Sequence, residues 1–216
     1  MPAPTACCIG NFDGVHLGHR ALLDRARAGV GPEGRGVAVP FDPHPPPVLP
    51  PGDAPPRLVS LKERTELLHR AGADEVVVLN STDSFLATDA VDFIRDLQQR
   101  LHFTLVVEGP GFRFGRGRTG TLELLKKLGV DMGFAVATVD RVQVTLRDCS
   151  KVTASSSLAR WLLALGRVED VARILGRPFE LAGRVVRADQ RGRTIGYPTA
   201  NIDHGDLMLP ADGIYA

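Results

Sequence analysis

Short apolar runs alternate along the chain with stretches of helical period, the pattern of an α/β fold built on a parallel sheet. Residues 6–9 (Ala-Cys-Cys-Ile) read as a short buried strand, and residues 20–27 as the helix that follows. Residues 37–41 read as the second strand. Ser60, with Glu63 three residues on, has the form of a capping box for a helix running to about Ala71, where Gly72 ends it. Residues 73–79 read as the third strand. Thr88 or Asp89 caps the next helix, whose apolar face is Val91, Phe93, Ile94 and Leu97, assigned to the core. Residues 105–107 form the fourth strand, 121–128 a helix stopped by Gly129, 134–139 the fifth strand and 142–146 a short sixth. Helices over 158–164 and 168–175 close this unit. From Glu180 the pattern changes, and residues 181–187 read as an exposed-face strand opening an all-β unit.

The totals narrow the function classes. The chain has 216 residues, room for one large or two modest domains. A net charge of +1, with no basic stripe interleaved with aromatics, argues against nucleic acid as a partner. No apolar run approaches the roughly 20 residues of a membrane span, and no secretory signal pattern opens the chain. Cys7, Cys8 and Cys149 are odd in number and lack Cys-x-x-Cys spacing, which argues against a disulfide framework or zinc site. A cytoplasmic protein with reduced thiols, monomeric or weakly homo-oligomeric, is the expectation.

The chemistry is concentrated at residues 10–19, Gly-Asn-Phe-Asp-Gly-Val-His-Leu-Gly-His. They lie at a strand-to-helix turn, where an open α/β sheet binds ligands. Gly10 and Gly14 suit a sharp turn and close backbone approach. The helix N-terminus presents N–H groups to an anion. His16 and His19, three apart, share a side of the first turn and can donate hydrogen bonds to phosphate oxygens. Neither needs to act as a base if the attacking group is a phosphate. A metal pair is the alternative, and no convincing third ligand stands nearby in sequence.

Three other stretches carry possible site chemistry. Residues 108–120 place five glycines, Arg113, Arg116 and Arg118, and Phe112 and Phe114 at the carboxyl end of a strand. Such a cationic loop can wrap an anionic nucleotide while two phenylalanines flank a ring; a solvated basic turn is the equal alternative. Ser155, Ser156 and Ser157 precede Arg160. One or two hydroxyls are ordinary caps, whereas the run with an arginine suits a triphosphate clamp. Residues 191–201 taken alone are a turn and strand start, with Thr199 and Asn201 as oxygen donors able to ligate Mg²⁺. The proline-rich segment 42–47 reads as a rigid loop that happens to contain His44.

Together these motifs resemble, in order, those of the bacterial bifunctional riboflavin kinase/FAD synthetase family, within the His-x-Gly-His nucleotidyltransferases. The resemblance implies a Rossmann-like nucleotidyltransferase domain with a parallel sheet over 1–176. It also implies the incomplete start of a small β-barrel kinase domain over 177–216. It implies that FMN is adenylylated by ATP to give FAD and pyrophosphate with Mg²⁺, and that a full-length parent also phosphorylates riboflavin. By the same resemblance His16, His19 and Arg160 are catalytic. Gly10, Phe12, Asp13, Gly14, Gly18, Ser155, Ser156 and Ser157 meet ATP, and His44, Phe112, Arg113, Phe114 and Arg118 meet the flavin. Thr199 and Asn201 serve the kinase. Ala159 and Ala188 stand where the family has Ile and Gly, and Gly111 where it has Asp or Asn. Glu108, where the family tends to be apolar, is a candidate to compensate for Gly111. The chain ends in what resembles a mid-barrel strand, and residues 180–216 are expected to be loosely held or to lean on the first domain.

Two rivals are of other kinds. Another nucleotidyltransferase of the superfamily is opposed by the Pro-Thr-Ala-Asn segment at 198–201. A nucleotide or flavin binder without catalysis is motivated by Gly111, and binding without pyrophosphate release would identify it.

Overall fold

The computed structural model describes residues 3–43, 55–187, 196 and 199–215. Its centre is a parallel sheet of β1 (Thr5–Gly10), β2 (Arg35–Asp42), β3 (Glu75–Val76), β4 (Leu79–Asn80), β5 (Leu105–Glu108) and β6 (Ala135–Thr138). The order is β3-β2-β1-β5-β6, with β4 also on β2. Because β1 is flanked by β2 on one side and β5 on the other, the order reverses between β1 and β5. Ligands of open α/β sheets bind at the carboxyl ends of the strands beside such a reversal.

Alternation along β1 feeds two cores. Cys7 and Ile9 point to one face with Val37, Val39 and Val106, under α4 (Ala90–Leu101) and α5 (Leu122–Met132). Ala6 and Cys8 point to the other with Ala38 and Val107, under α1 (Leu17–Val30) and α2 (Leu61–Arg70). Both faces are covered, which is why the strands read as unbroken apolar runs. Small residues in β1 suit a helix packed close above the sheet. Gly29 shows how close: a β-carbon there would lie 2.3 Å from Leu105 Cδ2 of β5. A third cluster joins α6 (Ser156–Ala164) and α7 (Val168–Leu175) to Leu58 through Leu162, Leu163, Ile174 and Leu175.

Several expectations need correction in detail. The third strand is interrupted: β3 and β4 keep one register against β2, but Pro40 lies opposite the gap and has no N–H to give the ladder. A short helix, α3 (Asp83–Leu86), follows β4 unforeseen. The Asp89 side chain makes no cap hydrogen bond and pairs instead with Arg116 at 2.8 Å. Helix α5 runs through Gly129 and stops at Gly133, which has φ +77°. Gly129 serves packing, since a β-carbon there would lie 2.5 Å from the Phe134 carbonyl. Residues 151–153, to which the sequence reading assigns no strand, form β8 (Lys151–Thr153), which pairs antiparallel with β7 (Gln143–Thr145). The turn between them closes as Asp148 Oδ1 accepts from Ser150 N–H at 3.0 Å, with Cys149 at φ +65°.

The carboxyl-terminal part leans on the first unit. Its hairpin is β9 (Arg184–Val186) with β10 (Asn201–Asp203). Met208 N–H donates to the Arg57 carbonyl at 2.7 Å and Ala211 N–H to the Leu163 carbonyl at 2.9 Å. Leu207 is buried there, and Met208 and Phe179 pack on the third cluster. The hairpin itself stays exposed, Val185 and Ile202 facing solvent as register partners.

Candidate active site

Six residues turn the chain from β1 into α1, and the turn is strained. Gly14 lies at φ +77°, as the sequence suggests, but the other left-handed residues are Phe12 (φ +50°) and Val15 (φ +40°), not Gly10. A β-branched residue in that region is a steric outlier that surrounding contacts must hold. They do: Phe12 is fully buried, Val15 nearly so, and Val15 N–H donates to the Phe12 carbonyl at 3.1 Å. Arg177 Nη1 donates to the Gly14 carbonyl at 2.9 Å, and the buried Arg64 donates to the Asn11 carbonyl at 3.0 Å while pairing with Asp42 at 2.9 Å. Neither arginine was singled out from sequence, because nothing in the local pattern links it to the turn.

The strain aims two imidazoles. His16 is the N-cap of α1, and its Nδ1 accepts from Gly18 N–H at 3.1 Å. That bond assigns the proton of a neutral ring to Nε2, leaving Nε2–H as the free donor. Glycine at 18 leaves the ring its room: a β-carbon would press on His16 Cε1 at 3.0 Å. The two rings stack with centroids 3.6 Å apart, and Phe12 tilts against His19 at 5.0 Å. Burial lowers His16 to about 4. Burial, and then the neighbouring His16, push His19 well below the usual histidine range. His19 Nδ1 is buried without a hydrogen-bond partner among the described residues. At neutral pH the pair is therefore two uncharged donors at a helix N-terminus, where backbone dipoles already favour an anion.

Beside this turn lies a cleft of about 550 Å³ at the carboxyl ends of β1, β2 and β5. Its lining includes Ile9, Gly10 and Asn11, Phe41, Phe85, Phe93, Phe112 and Phe114, and Arg113, Arg118, Ser157 and Arg160. Phe112 and Phe114 do not flank a ring. They stack on each other at 5.3 Å, and Phe114 continues to Phe93 at 6.1 Å, so the aromatics make one wall. Phe41 and Phe85, 6.0 Å apart, extend it and were not foreseen; Phe93 is both core and lining. Their separation in sequence hid the cluster. Arg113 and Arg118 are exposed at the rim.

The three serines divide their work. Ser155 caps α6, accepting from Leu158 N–H at 3.2 Å, and Ser156 Oγ donates to the Asp13 carbonyl at 2.7 Å. Ser157 faces the cleft. Arg160 pairs with the carboxylate of Asp13 and donates from Nε to the Pro56 carbonyl at 2.9 Å. Asp13, 2% exposed, also accepts from Leu58 N–H at 3.1 Å. Asp13 thus joins the β1–α1 turn, the segment before α2 and helix α6.

Glu108 is likewise buried, at 2% exposure, and its Oε1 accepts from Ile9 N–H at 2.6 Å across the point where β1 and β5 part. Burial raises its pKa well above the carboxylic range. Glu108 therefore holds the strand end beneath the cleft and does not replace the side chain that Gly111 lacks. Thr199 and Asn201 are exposed at the start of β10, away from the β1–α1 turn in sequence. His44 and the arginines at 191 and 193 lie outside the described residues. Among the described residues no three of His, Cys, Asp and Glu gather as a metal site, and no helix is long and apolar enough to cross a membrane.

Comparison with known proteins agrees with this layout. The FAD synthetase family profile matches residues 1–153 and the riboflavin kinase profile residues 175–216. The chain is 39% identical to the bifunctional riboflavin kinase/FMN adenylyltransferase of Escherichia coli (strain K12), over 99% of this chain and 68% of that protein. Identity to the protein of the same name from Buchnera aphidicola subsp. Schizaphis graminum (strain Sg) is 33%, over 98% of this chain and 67% of that protein. A crystal structure named a macrolide-efflux protein, from Streptococcus pneumoniae, superposes with a TM-score of 0.83 at 29% identity, covering 99% of this chain and 68% of that one. With a profile matched across its whole sheet and a relative this similar over two thirds of that relative's length, the chain belongs to the FAD synthetase family, that of the bifunctional riboflavin kinase/FMN adenylyltransferases.

Proposed function

We propose that residues 1–176 transfer AMP from ATP to FMN, releasing pyrophosphate and forming FAD. The carrying observation is the aromatic-walled cleft at the sheet's reversal, lined by Gly10 and Asn11 at the start of the turn that leads to the stacked His16–His19 pair. A flavin or adenine ring suits the phenylalanine wall. The FMN phosphate, already an anion, attacks the α-phosphorus of ATP, and the bond to the bridging oxygen of pyrophosphate breaks. His16 Nε2–H, His19 and the α1 N-terminus stabilise charge growing on the leaving group, so the chemistry is positioning and electrostatics. Ser157 and the rim cations Arg113 and Arg118 contact phosphates or flavin. Arg160 acts mainly by fixing Asp13 and the turn, reaching nucleotide only if released from that pair.

Mg²⁺ suits this donor set as a cation carried in on nucleotide phosphates. In the kinase segment the exposed Thr199 and Asn201 would hold it with few protein ligands, where it would neutralise phosphate charge. The boundary falls at Gly176, which ends α7 at φ +70°. Helices α6 and α7 lie beyond the FAD synthetase match, yet Ser156 bonds Asp13 and Leu162 packs with Leu58, so they complete the first unit. Riboflavin phosphorylation is the chemistry of the kinase family whose profile residues 175–216 match.

Pyrophosphate release with ATP, Mg²⁺ and FMN, against riboflavin as acceptor, tests the reading. Release with FMN alone is expected. ATP binding without release would instead favour a binder lacking the transfer step.

A further inference from the structure

On the reading that FMN is the acceptor, we propose that Arg141 grips the acceptor's phosphate, in the space that Gly111 leaves. Gly111 lines the cleft, and Arg141 Nη2 lies 3.7 Å from where a Gly111 β-carbon would stand. Among the described residues, leaving aside the two chain neighbours of Gly111, it is the one heavy atom within 4 Å of that position. The side-chain-free face of Gly111 is thus open except for a guanidinium.

Backbone bonds on either side fix where Arg141 stands. Val139 N–H donates to the Glu108 carbonyl at 3.0 Å, holding the segment to the carboxyl end of β5. Ala154 N–H donates to the Val142 carbonyl at 2.9 Å, and the Ala154 carbonyl lies 3.6 Å from a β-carbon built on Gly18. Val139 packs with the cluster of Phe12 and Val15. Arg141 is therefore tethered between the Gly111 edge of the aromatic cleft and the start of α1. An acceptor whose ring lies on the phenylalanines and whose phosphate must meet the triphosphate at α1 passes between these two points. Arg141 is exposed, and among the described residues it makes no ion pair. Its fork of donors suits a phosphate dianion.

The test uses Arg141→Ala, with Arg100→Ala on the exposed end of α4 as a charge-matched control. KM for FMN should rise about tenfold or more, the size of losing one charge-assisted contact, while KM for ATP stays within about twofold. Dissociation constants from flavin fluorescence should weaken for FMN and stay level for riboflavin, which lacks the phosphate. Gly111→Asp should draw Arg141 into an ion pair, weakening FMN binding in the wild-type background but adding little in Arg141→Ala. Unchanged FMN affinity in Arg141→Ala, equal weakening for riboflavin, or a shift confined to ATP would each overturn the assignment. If wild-type protein binds FMN but forms no FAD, the transferase reading fails, and the FMN-against-riboflavin comparison still decides Arg141. A wild type that binds neither flavin would remove both.

Discussion

The imidazole of His16 lies flat over that of His19, centroids 3.6 Å and planes 21° apart, at the N-terminus of α1. Two cations could not share that spot cheaply, and burial keeps both neutral. The pair therefore works by hydrogen bonding. His19→Gln should lower the rate of pyrophosphate release by roughly a hundredfold to a thousandfold, the range for removing one donor to a developing oxyanion. Circular dichroism should show the fold retained. A rate within twofold of wild type would remove the pair from the mechanism.

The same neutrality makes stability fall in acid. His16 has a folded value of about 4 against 6.5 when unfolded. Between these values the unfolded chain binds the extra proton, so stability is full above pH 6.5 and drains as pH falls toward 4. The slope is about 1.4 kcal/mol per pH unit for one fully coupled proton. Urea midpoints should drop from pH 7 to pH 5, and His16→Gln should shrink that drop. An equal drop in the variant would place the acid sensitivity elsewhere.

Gly18→Ala separates ring placement from folding. The added methyl would press on His16 at 3.0 Å and turn the ring away from Gly18 N–H. In the first turn of a helix alanine is otherwise the better former. The melting temperature should move little while kcat falls at least tenfold, measured side by side. A variant melting many degrees lower with normal kcat would reverse the interpretation.

Asp13 is structural to a degree its place in the signature does not reveal. Its carboxylate accepts from Leu58 N–H and pairs with Arg160, the pair nearly buried on both sides. Removing one partner of such a pair strands the other, which costs about 3–5 kcal/mol. Asp13→Ala should lose about that much in urea unfolding. A double-mutant cycle with Arg160→Ala should show the two losses far from additive. Additive losses would mean that the two residues act separately.

The order of strands and helices was legible because the central strands β1, β2 and β5 are buried on both faces and carry continuous apolar runs. Local sequence also announced the caps: Ser60 and Ser155 do accept from N–H groups three residues on. What stayed hidden depends on contacts far apart in sequence. Pro40 interrupts the pairing of residues 73–80 only because they lie opposite it. The phenylalanine wall draws on positions 41, 85, 93, 112 and 114, and no window of sequence contains them together. The strained φ of Val15 is invisible by composition, since glycines flank the turn and valine is the residue least expected to carry it.

Glu108 offers the sharpest separation of a hydrogen bond from a charge. Its Oε1 takes the Ile9 N–H at the parting of β1 and β5, where no backbone carbonyl of β5 is in register to do so. Burial raises its folded pKa above the unfolded 4.5, so its neutral form is the one the fold prefers. Stability from this group is full below pH 4.5 and is lost as pH rises through the folded value, the reverse of the histidine case. Glu108→Gln keeps an acceptor for Ile9 and cannot ionise; it should match wild type at low pH and exceed it at pH 8. Glu108→Leu has no acceptor, leaves the N–H unpaired and should cost about 1–3 kcal/mol at every pH. Urea unfolding of the three proteins at pH 5 and pH 8 decides the matter. If glutamine were no more stable than glutamate at pH 8, Glu108 would be carrying its charge in the folded state.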